Sequence, residues 1–378
     1  MKTTAGFVVL LLFLIIFGIL VRNTNVESEG VEGETQGEPS SLVLSYGREG
    51  LVAKKPLIYE GERHFQNIRQ LTFGGENAEA YFSSDGERLI LQAHQGKDSC
   101  DQIYVMNVET GEMEQVSTGY GVTTCSFFQY PQDDAIVYAS THLAGQECPP
   151  RADPGLGYVW TLYPSYDIFK ASPDGSNLVR LTESDGYDAE GTYAFDGSKI
   201  VYTSMASGDL EIWTMDPDGS GKRQLTDRLG YDGGPFYSHD GEKIVWRAFY
   251  PETEEGKERY LEDLRKNAMR PVNLQIWIMN SDGSGQTQVT DNGAANFAPF
   301  FFPDDSRIIF ASNLGGGRGN FDLYAIDPDG SNLEQISFFD GFDSFPMFSP
   351  DGKRLAFASN RNSTEPGETN IFICDWVE

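Results

Sequence analysis

Basic residues are scarce: 28 Lys and Arg stand against 57 Asp and Glu, a formal charge of −29. Such a field repels polyanions, so nucleic acid and anionic lipid are excluded as partners and cationic ones are favoured. Histidine is scarcer, at four, and no His-Glu-x-x-His or Gly-x-Ser-x-Gly stretch occurs. Zinc-peptidase and serine-hydrolase chemistry therefore lack their ligands and nucleophile. Cysteine also numbers four, too few for a disulfide scaffold. One bridge among Cys100, Cys125 and Cys148 is permitted in an exported chain, with the pairing open, and Cys374 reads as a small buried apolar residue. Helical periodicity is almost missing. Its exception is GKERYLEDLRKNAM (256–269), where Tyr260, Leu261 and Leu264 share one side and suit a docked cap.

Long apolar runs are likewise missing but for one, GFVVLLLFLIIFGILV from Gly6 to Val21, between Lys2 and Arg22. With no small-x-small site after it, residues 1–22 read as an uncleaved signal-anchor helix rather than a cleaved signal peptide. Residues 23–55, acidic and rich in Gly, read as a flexible linker, and residues 56–378 as the folded part. The folded part is then expected outside the cytoplasm, on the periplasmic or extracellular face of the membrane.

What the chain does contain is a repeat. RQLT (69–72), EQVS (114–117), VRLT (179–182), RQLT (223–226), TQVT (287–290) and EQIS (334–337) end on Thr or Ser at spacings of 45, 65, 44, 64 and 47. The period is that of a four-stranded propeller blade, with two insertions of about 20 residues. Between the marks, short β-rich runs alternate with Asp-Gly turns, which is hairpin chemistry. The fold class predicted is all-β: a six-bladed β-propeller of four-stranded antiparallel blades. The N-terminal strand FQNIRQLT (65–72) completes the last blade and closes the ring. In this frame DPDGSGKRQLTD (216–227), which imitates a calcium loop, is a tight turn followed by a strand that carries Asp227 away from it.

The SPDGKRLAFAS stretch (349–359), the DPDGS turn and the QLT strand resemble the WD-repeat-like propeller repeats of the TolB family of bacterial envelope proteins. The resemblance covers residues 60–378 and implies the propeller fold; it is weak for function, since similar blades occur in peptidases and lyases. The family pattern also has a separate N-terminal domain, for which residues 23–55 leave no room.

Propeller topology puts the strand two-to-three and four-to-one connections on one face. All the elaboration lies there: the insertions 141–166 and 248–274 and the expanded loops 313–320 and 360–369. At the start of each innermost strand stand Asn77, Thr124, Asp188, Asp232, Asn296 and Asp343, with Glu79 and Glu190 two residues on. They are expected either to ring the channel mouth with oxygens, suited to a divalent cation, an amine or a basic peptide, or to close local turns. Tyr158, Trp160, Tyr163 and Tyr166 are lid aromatics that either contact a ligand or pack the insertion down. His94 and His142, with Glu79 or Glu190, are the only residues able to assemble an acid–base centre.

The function expected is that of an exported, membrane-tethered, monomeric binding module without catalytic residues or cofactor. It recognises an envelope protein, a peptide (basic ones included) or a small ligand at the channel mouth. The alternatives are a metal-dependent carbohydrate-active lyase or hydrolase on the same scaffold, and an accessory propeller for a separately encoded peptidase.

Overall fold

A computed structural model describes residues 56–94, 100–317 and 319–378; the expected anchor and linker lie outside them. Six four-stranded antiparallel sheets follow one another along the chain. Their innermost strands are Glu76–Phe82, Thr123–Phe128, Asp188–Tyr193, Tyr231–Tyr237, Asn296–Phe301 and Asp343–Phe348. Each packs on the next, and the last packs on the first, so the six sheets form a ring. In the sixth sheet the outermost strand is Phe65–Gln70, paired antiparallel with Asn370–Trp376. Among the described residues no helix is long and apolar enough to cross a membrane.

The repeated Thr or Ser has a structural cause. In every blade its hydroxyl accepts the amide N–H of the second residue of the third strand: Ile371 to Thr72, Ile103 to Ser117, Ile168 to Thr182, Ile212 to Thr226, Ile276 to Thr290 and Leu323 to Ser337, all at 2.8–2.9 Å. Each fourth strand ends two residues before this Thr or Ser, and the hydroxyl takes the place of a strand carbonyl. The same hydroxyl donates onward to the first residue of the third strand in four blades: Asn370, Gln102, Glu211 and Gln275. The Asp-Gly turns close on themselves, as where Asp218 accepts from the Ser220 amide at 2.9 Å, and Asp216 is engaged by Lys199 at 2.6 Å.

One ionic contact ties the start of the described chain to its end. The Arg361 guanidinium, fully buried, donates to Glu62 at 2.9 Å, to Asp343 at 2.7 Å and to the Leu57 carbonyl at 2.6 Å. A buried charge held this way is costly to orphan.

The channel is shut on the side of the Asp-Gly turns. Tyr81, Phe127, Phe236 and Phe300, from four blades, meet across the axis with ring centroids 5.3–6.0 Å apart. What remains is a funnel that opens only toward the long loops.

Two outcomes follow. Thr226→Val keeps the shape but strands the Ile212 amide, and should lower the unfolding free energy in urea by about 1–3 kcal/mol. Arg361→Ala leaves Glu62 and Asp343 unpaired in the interior and should cost about 3–5 kcal/mol in the same measurement.

Candidate functional site

The Asp and Asn residues at the strand starts do not form an open ring. All five are buried and hydrogen-bonded within their own surroundings. Asp188 accepts from Ser184 and Ser204; Asp232 accepts from Trp246 Nε1 at 2.6 Å and from the Tyr250 hydroxyl at 2.5 Å. Asn296 donates to the Leu274 carbonyl and accepts from Ser312; Asp343 accepts from Arg361; Asn77 donates to the carbonyls of Gly74 and Thr369. The local-turn alternative describes them, because each side chain finds partners in the adjoining loop or strand before it can reach the mouth. In blade two the equivalent residue is Thr123, paired with Ser140, and not Thr124.

The channel is lined by the residue two positions on. Every innermost strand carries a β-bulge there, as the register breaks between Ala78 and Tyr81 and between Ala189 and Thr192 show. The bulged residues Glu79, Cys125, Glu190, Gly234, Ala298 and Phe345 all have φ between 50° and 59°. Four of them build one polar layer. Glu190 accepts from Arg247, from the Gly234 amide at 2.8 Å and from Thr203 at 2.7 Å, so its charge is fully engaged. A β-carbon at Gly234 would lie 1.9 Å from Nη1 of Arg247, so only glycine admits the guanidinium. Glu79 has no such partner: burial pushes its carboxyl up to about 7, with Glu190 adding to the rise and the Cys125 thiol opposing it. Burial likewise pushes the Cys125 thiol well up, which keeps it neutral.

The two insertions join above blade three. Trp160–Thr161 pairs with Ala268–Met269, Leu162 donates to the Asn267 carbonyl, and Arg270 reaches the Leu156 carbonyl at 2.5 Å. The helix Glu254–Arg265 carries Tyr260, whose hydroxyl lies 2.5 Å from Asp209 Oδ1 and 2.6 Å from the Gly230 carbonyl and shares its one proton between them. Trp160 lies over Arg247 at 5.0 Å and beside Tyr231 at 6.0 Å, covering the polar layer from above. Beside this bridge, over blades one, two and six, a cavity of about 1010 Å3 is open to the loop face. Trp160, Tyr163 and Tyr166 line it, whereas Tyr158 stands outside, 79% exposed. A disulfide between Cys100 and Cys148 staples its wall, joining blade one to the first insertion, and Cys125 is free.

The cavity also holds His94, Glu76, Asp101, Arg151, Glu365 and Glu368. Nδ1 of His94 is 2.5 Å from Asp101 Oδ1, and Nε2 is 3.7 Å from Glu76 Oε1. The hydrogen bond to Asp101 raises the His94 pKa against the opposing effect of burial. His142 is elsewhere, against Ser140 and the Phe169 ring at 4.4 Å. Sequence reasoning missed Glu76, Asp101, Arg151, Glu365 and Glu368 because loops of no repeating pattern bring the last four to the strand that Glu76 opens. Among the described residues no cluster of three or more His, Cys, Asp or Glu is placed to hold a metal ion.

Buried carboxyls set a pH dependence. Burial pushes Glu211 and Asp232 upward, with the charge of Asp232 adding to the rise of Glu211, and burial pushes Asp322, like Glu79, up to about 7. Free carboxyls titrate near 4, so between about pH 5 and 8 the folded state binds protons that the unfolded state has released, and stability falls as pH rises. The carboxyls lowered to about 2, Glu334 and Glu368, act only below that window. The melting temperature should therefore be higher at pH 5.5 than at pH 8. Glu211→Gln, which puts at this position the residue found in blades one and four, should raise it more at pH 8 than at pH 5.5. A flat or rising profile contradicts the assignment.

Residues 262–375 match the TolB beta propeller domain. No curated protein matches the sequence. Among solved structures, TolB from Acinetobacter baumannii is 16% identical with a TM-score of 0.52, over 71% of this chain and 55% of that one. The chain thus spans about half the length of that TolB. A putative TolB from Agrobacterium tumefaciens is 18% identical with a TM-score of 0.52, over 80% and 91% of the two chains. A gluconolactonase from Xanthomonas campestris is 12% identical with a TM-score of 0.53, over 82% and 89%. Identities this low speak for the fold alone. The protein is a six-bladed β-propeller, and its residues 262–375 match the TolB beta propeller domain.

Proposed function

We propose that this chain is an exported propeller binding module, tethered through residues 6–21, that recognises a protein segment, peptide or small ligand in the cavity of about 1010 Å3 and does no chemistry itself. The cavity carries the reading. It is walled by the first insertion and by the long loop of blade six, and its aromatic wall faces a largely acidic rim. Glu76, Asp101, Glu365 and Glu368 stand against Arg151 and His94, so a ligand bearing cationic groups is favoured. Tyr163 and Trp160 supply flat apolar contact for its stem.

The His94–Asp101 pair gives the carbohydrate-active alternative its one foothold, since a histidine held by a carboxylate is a competent general base. A role in a Tol-type system and the accessory-propeller reading rest on fold likeness and add no residue to the site.

Titration calorimetry of the full chain with Lys- and Arg-rich peptides, against neutral oligosaccharides, tests the proposal. Saturable peptide binding that weakens with salt, and that falls about tenfold in Tyr163→Ala, is expected. Turnover of polyuronides that is lost in His94→Gln would replace the binding reading with the enzymatic one.

A further inference from the structure

Within the cavity of about 1010 Å3, one side chain occupies the place that a cation would take. His94 ends the second strand of blade one, paired with Glu76 at the start of the first, and Asp101 stands just before the third. This arrangement sets the imidazole between two carboxylates: Nδ1 is 2.5 Å from Asp101 Oδ1, and Nε2 is 3.7 Å from Glu76 Oε1. Among the described residues neither carboxylate has a second ion-pair partner. The Glu76 side chain is 55% exposed and that of Asp101 30%, against 9% for His94, so both acids reach the cavity beside a sheltered ring.

Only one protonation state satisfies all three groups. With Nδ1–H given to Asp101, a neutral ring turns a bare lone pair toward Glu76, whereas the imidazolium directs an N–H at each acid. The hydrogen bond to Asp101, helped by the charges of Asp101 and Glu76, raises the His94 pKa against burial and the charge of Arg151. Glu365 and Glu368 complete the charged lining, and Glu368 is taken up by Asn370 and by the amides of Thr364 and Glu365. Once the ring loses its Nε2 proton, one acceptor faces another, and the gap between them needs a donor that carries positive charge. A primary ammonium or a guanidinium has N–H groups for both; a quaternary ammonium has none.

We infer that the cavity seats an N–H-bearing cation between Glu76, Asp101 and the bare Nε2 of His94, a place that the histidine's own proton fills until the ligand displaces it. This rests on the reading that the cavity binds a cationic ligand, and adds where the cation sits, which cations qualify and what they expel. The exchange balances: the imidazolium releases its Nε2 proton to solvent, the ligand's cation replaces that charge, and Nδ1–H stays with Asp101. Binding therefore tightens as pH rises, because at low pH the ligand must first expel the proton, and by the same linkage the bound cation lowers the His94 pKa.

The test is calorimetric titration of the full chain with N-acetylated, C-amidated tetra-arginine at constant ionic strength, a peptide that does not titrate between pH 5.5 and 8.5. Its Kd should fall at least about tenfold from pH 5.5 to 8.5, the factor set by a histidine that titrates near or above 6.5 and yields its place only when neutral. At pH 5.5, heats in buffers of different ionisation enthalpy should report about one proton released per peptide bound, a count that needs no variant. His94→Gln should remove both effects and bind at pH 5.5 more tightly than the parent, whereas mere damage to the cavity would weaken binding. At pH 8.5 the matching tetra-lysine should bind about tenfold more tightly than its fully trimethylated form. Phe338→Ala, beside a smaller cavity of about 440 Å3 between blades five and six, should bind as the parent does. Absence of peptide binding at every pH overturns both this inference and the binding-module reading. Binding that ignores pH, releases no proton, keeps its pH dependence in His94→Gln, fails to distinguish the trimethylated peptide or is lost in Phe338→Ala overturns this inference alone.

Discussion

A single backbone irregularity, made six times, governs what this ring can present to a ligand. A regular innermost strand would alternate its side chains between neighbouring blades and leave the axis bare. The left-handed residue in each bulge breaks that alternation and turns a side chain inward in every blade but the fourth, where Gly234 stands. Five of the six are not glycine, and each left-handed conformation costs on the order of 1–2 kcal/mol. The strand pairing before and after the bulge holds it in place. Glu79, Cys125 and Glu190 owe their shared layer to this device. So does Arg247, which occupies the space that Gly234 leaves vacant.

The same irregularity marks the limit of what the sequence discloses. Blade number is legible because it rests on local chemistry: a hydroxyl that must meet one amide in each blade, and Asp-Gly turns that close on their own backbone. A bulge has no such signature. A one-residue displacement of the column in blade two, Thr124 for Thr123, is therefore invisible until the pairing with Ser140 is seen. Whether Asp188 faces a ligand or a neighbour turns on Ser204, sixteen residues later, which donates to it. Both outcomes use the same letters. The large cavity is less legible still, since Glu76 opens a strand while Asp101, Arg151 and Glu365 come from three connections that share no pattern.

The two insertions give a near-symmetric ring a direction. By pairing with one another over blade three, they cover the engaged half of the polar layer, where Glu190 and Arg247 neutralise each other, and leave the larger cavity over the opposite side. Aromatic side chains close the far end of the channel. A ligand therefore approaches from one face and meets a rim in which carboxylates outnumber the basic groups Arg151 and His94. An overall charge of −29 brings cationic molecules to that face before any contact forms.

The disulfide has a consequence of a different kind. It joins positions 48 residues apart, on two adjacent blades, and encloses the outer half of blade one, the inner half of blade two and the start of the first insertion. A protease that cuts anywhere between Cys100 and Cys148 therefore releases nothing: the severed ends stay covalently attached. In an oxidising compartment the exposed turn around Leu143, inside this loop, can be nicked without the ring losing a piece.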